Sequence, residues 1–359
     1  MNVERRKTKS VFVGGLGIGS DFPVSVQSMT NIHTGDYDGL KKQVSDLVSA
    51  GVDIIRVSVP DEESVRGIYK LKHDFSVPFV ADIHFDHKLA IAAASAGIDK
   101  LRINPGNIGD SDKIKAVADI CKLHKVPIRI GVNAGSCEKH LLEKYGGPTP
   151  EALCESALYN AMLLEKYDFD DIVISVKASN VFDTVKANEA VAERCNYPLH
   201  LGVTEAGTES IGKLKASAAL GALFTRGIGD TVRISLTDDP VTEVKAAKDI
   251  LKAIGIRKNG INVISCPTCS RTKINLIAVV KDFEKALAMM GNKYDNISVN
   301  VAIMGCAVNG PGESKEADIG VACGVGEALL FVGGETIGKI PAEKICDTLF
   351  REIDERFLK

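Results

Sequence analysis

Eight short β-rich runs recur through the first two-thirds of the chain, each followed by a segment of helical character: Val24–Ser28, Ile54–Val57, Phe79–Ala81, Lys100–Ile103, Ile128–Val132, Ile172–Val176, Leu199–Val203 and Thr231–Ser235. Even the shortest step between starts, Phe79 to Lys100, leaves room for the crossover that parallel strands require. Eight βα units in tandem predict an α/β chain that opens with a closed (β/α)8 TIM barrel. The rival is an open, doubly wound sheet. Polar residues decide for the barrel, because they stand at or beyond the C-terminal end of nearly every run, where barrels assemble their sites, whereas an open sheet gathers them at one switch point.

Helices are expected over Asp38–Ala50, Glu62–His73, Lys88–Ala96, Asp110–His124, Thr149–Lys166, Val181–Cys195, Glu209–Thr225 and Thr242–Ile254. Thr149, Pro150 and Glu151 supply an N-cap, a first-turn proline and an early acid, and Gly51, Gly97 and Gly255 stand where C-caps belong. The run Gly14-Gly15-Leu16-Gly17-Ile18-Gly19 resembles a nucleotide loop, but it leads into Asp21-Phe22-Pro23 and the next strand instead of opening a helix, so a hairpin or loop fits it better. After Gly255 the character changes. The expected division is a barrel over residues 1–256 and a smaller α/β domain over 257–359 that holds the cysteine motifs.

Forty-four basic against 47 acidic residues give a net charge of −3, which supplies no global attraction to nucleic acid or to an anionic membrane. The first ten residues are charged and precede no apolar run, so no secretory signal is read there, and no stretch reaches the length of a membrane span. A cytoplasmic location is expected. Nine cysteines is an odd number, and in a reducing compartment thiols or metal ligands are favoured over a disulfide framework.

The strand ends carry Arg56, Asp82, His84, Arg102, Asn104, Arg129, Asn133, Lys177, His200, Thr204, Glu205, Arg233 and Ser235. Arginines inside β-rich runs need a partner, because a guanidinium turned into a barrel is unfavourable unless an anion or a carboxylate satisfies it. Asp82, Glu205 or Asp53 could be that carboxylate; a doubly charged ligand could equally be the anion. The planar fork of arginine suits bidentate phosphate binding, and Lys177 adds a point charge. Glu205, just past a strand in Gly-Val-Thr-Glu-Ala-Gly, is the proton-transfer candidate, or else a partner for Arg233.

The strongest local chemistry lies in Cys266-Pro-Thr-Cys269 and Gly305-Cys306-Ala-Val-Asn-Gly-Pro-Gly-Glu313. No second CxxC or paired histidine completes a structural zinc site, and the CxxC lies outside the early βα context of a redox dithiol. Three thiolates with a weaker oxygen ligand would hold a 4Fe–4S cluster that leaves one iron open. Glu313 is the candidate oxygen ligand, reached through a turn-forming run; Cys323 is the rival, and would make a closed electron relay. Cys121, Cys137, Cys154, Cys195 and Cys346 stand alone and are assigned to the core.

Taken together, Val26-Gln-Ser-Met-Thr-Asn31, Ala81-Asp-Ile-His-Phe85, Leu101-Arg-Ile-Asn-Pro-Gly-Asn107, Gly131-Val-Asn-Ala-Gly135, Ser175-Val-Lys-Ala-Ser179, Leu201-Gly-Val-Thr-Glu-Ala-Gly207 and the two cysteine motifs resemble, in order and over nearly the whole chain, the bacterial two-domain 4-hydroxy-3-methylbut-2-en-1-yl diphosphate synthase family of non-mevalonate isoprenoid biosynthesis. The resemblance implies an oxidoreductase that opens 2-C-methyl-D-erythritol 2,4-cyclodiphosphate with two electrons and two protons and releases water. It implies a 4Fe–4S cluster on Cys266, Cys269, Cys306 and Glu313. Arg56, Arg102, Arg129, Lys177, Arg233 and Ser235 would grip the diphosphate, with Asp82, His84, Asn133, His200 and Glu205 lining the same mouth and Glu205, Glu313 and His84 acting in catalysis. A head-to-tail homodimer and a flavodoxin or ferredoxin donor are implied as well. Ser270 and Ala307 depart from residues common in the family, at positions that are not proposed ligands. Two other readings are a barrel aldolase or phosphosugar isomerase using Lys177 as a Schiff base, and a non-catalytic metal-cluster sensor.

Overall fold

A computed structural model of the chain describes residues 3–257, 260–306, 312 and 317–358. Two compact units divide it, residues 1–257 and 258–359.

The first unit begins with an antiparallel hairpin, β1 (Val11–Val13) and β2 (Leu16–Ile18), turned at Gly14 and Gly15, whose φ values of 54° and 88° suit glycine. The glycine run is thus a hairpin and not a nucleotide loop. Eight parallel strands follow: β3 (Ser25–Met29), β4 (Ile54–Ser58), β5 (Phe79–Asp82), β6 (Lys100–Ile103), β7 (Ile128–Val132), β8 (Ile172–Val176), β9 (His200–Leu201) and β10 (Thr231–Val232). Each of β3 to β7 pairs with the next, and β10 lies between β3 and β9. A parallel bridge from Ile174 to Leu199 closes the ring. The expected barrel is present.

Alternation sorts the side chains. Leu101 and Ile103, like Ile128, Ile130 and Val132, join the core between strands and surrounding helices. Lys100, Arg102 and Arg129, one residue out of step, therefore turn into the barrel. The eight expected helices form within two residues of their expected bounds, from Tyr37–Ser49 to Pro240–Ala253. Helices Pro105–Ile108 and Lys139–Tyr145 occupy the loops after β6 and β7 and were not expected. β9 and β10 are shorter than their sequence runs. A Cβ on Gly202 would lie 2.3 Å from the Arg233 carbonyl oxygen, so the two chains crowd there, and the ladder ends as the Arg233 N–H donates to Leu201.

Val13 and Ile18 of the hairpin pack on Ile54 and Val80, inward residues near the starts of β4 and β5, and so stopper the N-terminal end of the barrel.

The second unit is a five-stranded sheet in the order β11 (Gly260–Ser265), β12 (Ser298–Met304), β13 (Ile319–Cys323), β14 (Glu327–Val332) and β15 (Glu335–Pro341). The first three strands are parallel and the rest antiparallel. Helices Leu276–Met289 and Ile345–Phe357 pack on the face bearing Val299, Val301 and Ile303, with the rings of Phe283 and Phe350 stacked at 4.5 Å.

Candidate active site

The C-terminal ends of the barrel strands line a small open pocket, of a kind that takes small molecules. Eight residues expected at the mouth line it: Arg56, Arg102, Arg129, Asn133, Lys177, Thr204, Arg233 and Ser235. Five of these are cations. Gly131 and Ser175 complete the polar wall, and alternation with Lys177 is the sequence signal for Ser175.

Asp82, on β5, stands behind two of the arginines. Its Oδ2 accepts from Arg56 Nη2 at 3.0 Å and its Oδ1 from Arg102 Nη1 at 3.2 Å. Burial opposes the charge of Asp82, but Arg56, a bond from His84, and Arg102 together overcome it and hold this carboxyl well below the usual carboxylate range. For Arg56 the balance runs the other way, and burial lowers its guanidinium to about 10 despite Asp82. Arg102 also donates to the Gly131 carbonyl at 3.1 Å, and a Cβ at Gly131 would lie 2.3 Å from Arg102 Nε. Glycine is what lets this arginine cross β7.

Arg102 Nη1 lies 3.3 Å from His84 Nδ1. A guanidinium only donates, so Nδ1 accepts and the ring hydrogen sits on Nε2, 3.4 Å from Asp82 Oδ2. The imidazole itself is largely exposed, with 58% of its side chain accessible, and can present an edge to a ligand.

Arg233 has a different partner from those expected of it. Glu205 does not hold it; Glu243 does, from the helix Pro240–Ala253. Asp53 likewise serves no mouth arginine and pairs with Arg257. Glu205 follows Thr204 in the loop after β9, exposed and with φ at 51°, a left-handed conformation uncommon for a residue with a side chain. Lys177 faces Arg233, Arg129 and Arg56, and burial together with those charges pushes its amine well below its ordinary range.

His200 departs from expectation. It is fully buried beneath the pocket instead of lining it, with Nδ1 3.4 Å from Thr231 Oγ1. Alternation explains the difference: Gly202 and Thr204 follow on the same side of the strand, and Thr204 reaches the mouth.

In the second unit, β11 and β12 run side by side, and Ser265 pairs with Ile303. The cysteine motifs follow directly on these two strands, which brings them together. The Gly305 N–H donates to Cys266 Sγ at 3.4 Å, and the Lys273 N–H to the Gly305 carbonyl at 3.0 Å. Cys266 and Cys306 are half-buried and Cys269 is exposed, whereas Cys121, Cys137 and Cys154 are buried, with burial pushing the Cys121 thiol up to about 12. Cys323, the rival ligand, is enclosed in the apolar core of this unit, its thiol also pushed up to about 12 by burial. Glu313 lies outside the described residues. Among the described residues no three His, Cys, Asp or Glu side chains surround one point. What fits a cluster is the donor set, with three accessible thiols on adjoining loops and a backbone N–H already aimed at one sulfur.

Two family models match the chain, one described as the GcpE TIM-barrel domain over residues 8–248 and one as the GcpE protein C-terminal domain over residues 262–355. A curated protein of Caldicellulosiruptor saccharolyticus, 4-hydroxy-3-methylbut-2-en-1-yl diphosphate synthase (flavodoxin), is 51% identical over 96% of this chain and 98% of its own length. Its namesake in Ruminiclostridium cellulolyticum is 49% identical over 98% of this chain and 99% of its own length. Among solved structures, 3-dehydroquinate dehydratase from Geobacillus kaustophilus matches at 14% identity over 69% of this chain and 98% of its own, with a TM-score of 0.50, a likeness of fold alone.

Proposed function

The chain belongs to the GcpE family, and on that premise we propose that it is the oxidoreductase which converts 2-C-methyl-D-erythritol 2,4-cyclodiphosphate to (E)-4-hydroxy-3-methylbut-2-enyl diphosphate in non-mevalonate isoprenoid biosynthesis. The observation that carries the reading within the barrel is the convergence of Arg56, Arg102, Arg129, Lys177 and Arg233 on one small pocket. Two carboxylates in their hydrogen-bonding range serve only some of them, and a diphosphate supplies the remaining negative charge.

In the reaction two electrons and two protons enter, the cyclic diphosphate opens at carbon, and a hydroxyl departs as water. Arg56, Arg102 and Arg233 present N–H donors to the phosphate oxygens, so that charge developing on the leaving phosphate meets preorganised cations in place of water. Arg129 cannot lose its proton and keeps its charge beneath them. Asn133, Ser235 and Thr204 offer neutral hydrogen bonds to the hydroxyls. Glu205 and His84, exposed in the loops after β9 and β5, are the proposed proton-transfer groups. Cys266, Cys269 and Cys306, with Glu313, would hold a 4Fe–4S cluster, which when bound supplies single electrons and an iron with Lewis acidity. A flavodoxin or ferredoxin as donor and a homodimer complete the proposal; the named relatives carry flavodoxin in their names. No helix among the described residues is long and apolar enough to cross a membrane. The aldolase, isomerase and sensor readings are not favoured, since they give the cysteine motif or the cationic mouth no task.

The test is anaerobic purification with measurement of iron and sulfide, followed by turnover of the cyclic diphosphate with a strong one-electron reductant. About four irons per chain and linear product formed only with reductant are the expected result. A reconstituted protein that stays colourless and inactive, but is trapped by borohydride with a keto substrate through Lys177, would overturn it.

A further inference from the structure

We propose that Glu243 is a positioning residue of the diphosphate pocket: it fixes the guanidinium of Arg233 and supplies the counter-charge for that half of the wall. The inference rests on the reading of the pocket as a diphosphate site. Glu243 is 4% exposed and does not line the pocket itself, yet every acceptor face of its carboxylate is used. Oε1 accepts from Arg233 Nη2 at 3.2 Å and from the Leu236 N–H at 3.1 Å. Oε2 accepts from Arg233 Nε at 3.3 Å and from Ser28 Oγ at 3.3 Å, a hydroxyl shared with the Pro240 carbonyl. Thus β3, the loop after β10 and the following helix are tied to one group.

The arrangement matches the other half of the pocket. There Asp82 holds Arg56 and Arg102; here Glu243 holds Arg233, with two of its nitrogens committed and the remaining edge left for a ligand. Lys177 stands in the same corner. Of the charges acting on it, Arg233, Arg129 and Arg56 oppose its protonation, and Glu243 favours it. Loss of the Glu243 charge therefore affects two cations together.

Chemistry sets the direction of the effect. Only a carboxylate accepts on both oxygens. In Glu243→Gln one oxygen becomes an amino group, and with the Leu236 N–H holding the remaining oxygen, that donor confronts Arg233 Nε. Two donors cannot share a hydrogen bond, so Arg233 turns away from the pocket. Arg233 grips the diphosphate in substrate and transition state alike, so its misplacement raises KM more than it lowers kcat.

The experiment compares the holoenzyme with Glu243→Gln, Glu243→Asp, Arg233→Lys and the double variant Arg233→Lys/Glu243→Gln. It measures kcat and KM for the cyclic diphosphate, the inhibition constant of inorganic pyrophosphate, iron content and thermal midpoint. Glu243→Gln is expected to raise KM and the pyrophosphate constant together by about tenfold, with unchanged iron and kcat within about threefold. Glu243→Asp should recover part of the loss, and in the Arg233→Lys background the Glu243→Gln effect should shrink to under about twofold. If Glu243→Gln fails to fold, Ser28→Ala, which removes a single bond to the same carboxylate, should still raise both constants by about two- to threefold. An unchanged KM in Arg233→Lys would refute the diphosphate reading. A large Arg233→Lys effect that multiplies undiminished with that of Glu243→Gln would overturn the positioning role alone.

Discussion

Lys100 begins β6, two residues before Arg102, and so points into the barrel below the substrate pocket. It is fully buried, its Nζ has no hydrogen-bond partner among the described residues, and the charged group acting on it is another cation, Arg129. Burial first, and Arg129 second, push its amine well below the ordinary lysine range. Methionine matches lysine in length and lacks the amine, so Lys100→Met should stabilise the barrel. Relief of one unpaired buried polar group contributes about 1–3 kcal/mol. A second contribution depends on pH. The folded amine binds fewer protons than the unfolded one, so the stability of the parent protein rises with pH toward about 10.4, where the unfolded lysine also loses its proton. The advantage of Met should therefore decline with rising pH, by about 1.4 kcal/mol per pH unit while the folded amine is neutral and the unfolded one charged. Urea unfolding of both proteins at pH 7, 8 and 9, followed by circular dichroism, measures this directly. A Met variant that is less stable, or whose gain does not change with pH, would show that Lys100 is charged and paired in the fold.

Glu205→Gln should lower kcat by about 10²- to 10⁴-fold while leaving pyrophosphate inhibition near its parental value, as loss of a proton-transfer group requires; steady-state kinetics decide. Cys323→Ser should leave iron content and turnover unchanged, because Cys323 belongs to the apolar core of its unit, whereas a loss of iron would make it a ligand. Glu313→Ala should lower cluster content and turnover together, read by iron analysis and product formation; parental values would remove Glu313 from the ligand set.

The recurrence of β-rich runs at crossover spacing and the helix caps made the barrel legible, since both are local signals. β9 and β10 were overestimated because Val203 and Ile234 extend an apolar pattern that the close approach at Gly202 interrupts. Position at a strand end singles out the mouth cations but does not separate levels within the barrel: alternation counted down from Thr204 puts His200 below the mouth, in the interior. An acid in the first turns of a helix, as Glu243 is, has an ordinary explanation in the helix dipole. A signal was present: Pro240, Val244, Ala247 and Leu251 form the buried stripe of that helix, and Glu243 falls on it. Which carboxylate meets which arginine depends on contacts between residues far apart in the chain, and those are not written in spacing.

The hairpin stopper has a consequence for traffic. With Val13 and Ile18 seated on Ile54 and Val80, the barrel is a cup with one rim, and whatever enters must leave by the same opening. Substrate and product would both carry a diphosphate to the same ring of cations, so the outgoing molecule occupies the doorway that the incoming one needs. Strong grip at the rim then works against throughput, and the residence time of the product, set by how firmly Arg233 and its neighbours are held, becomes a natural governor of the cycle.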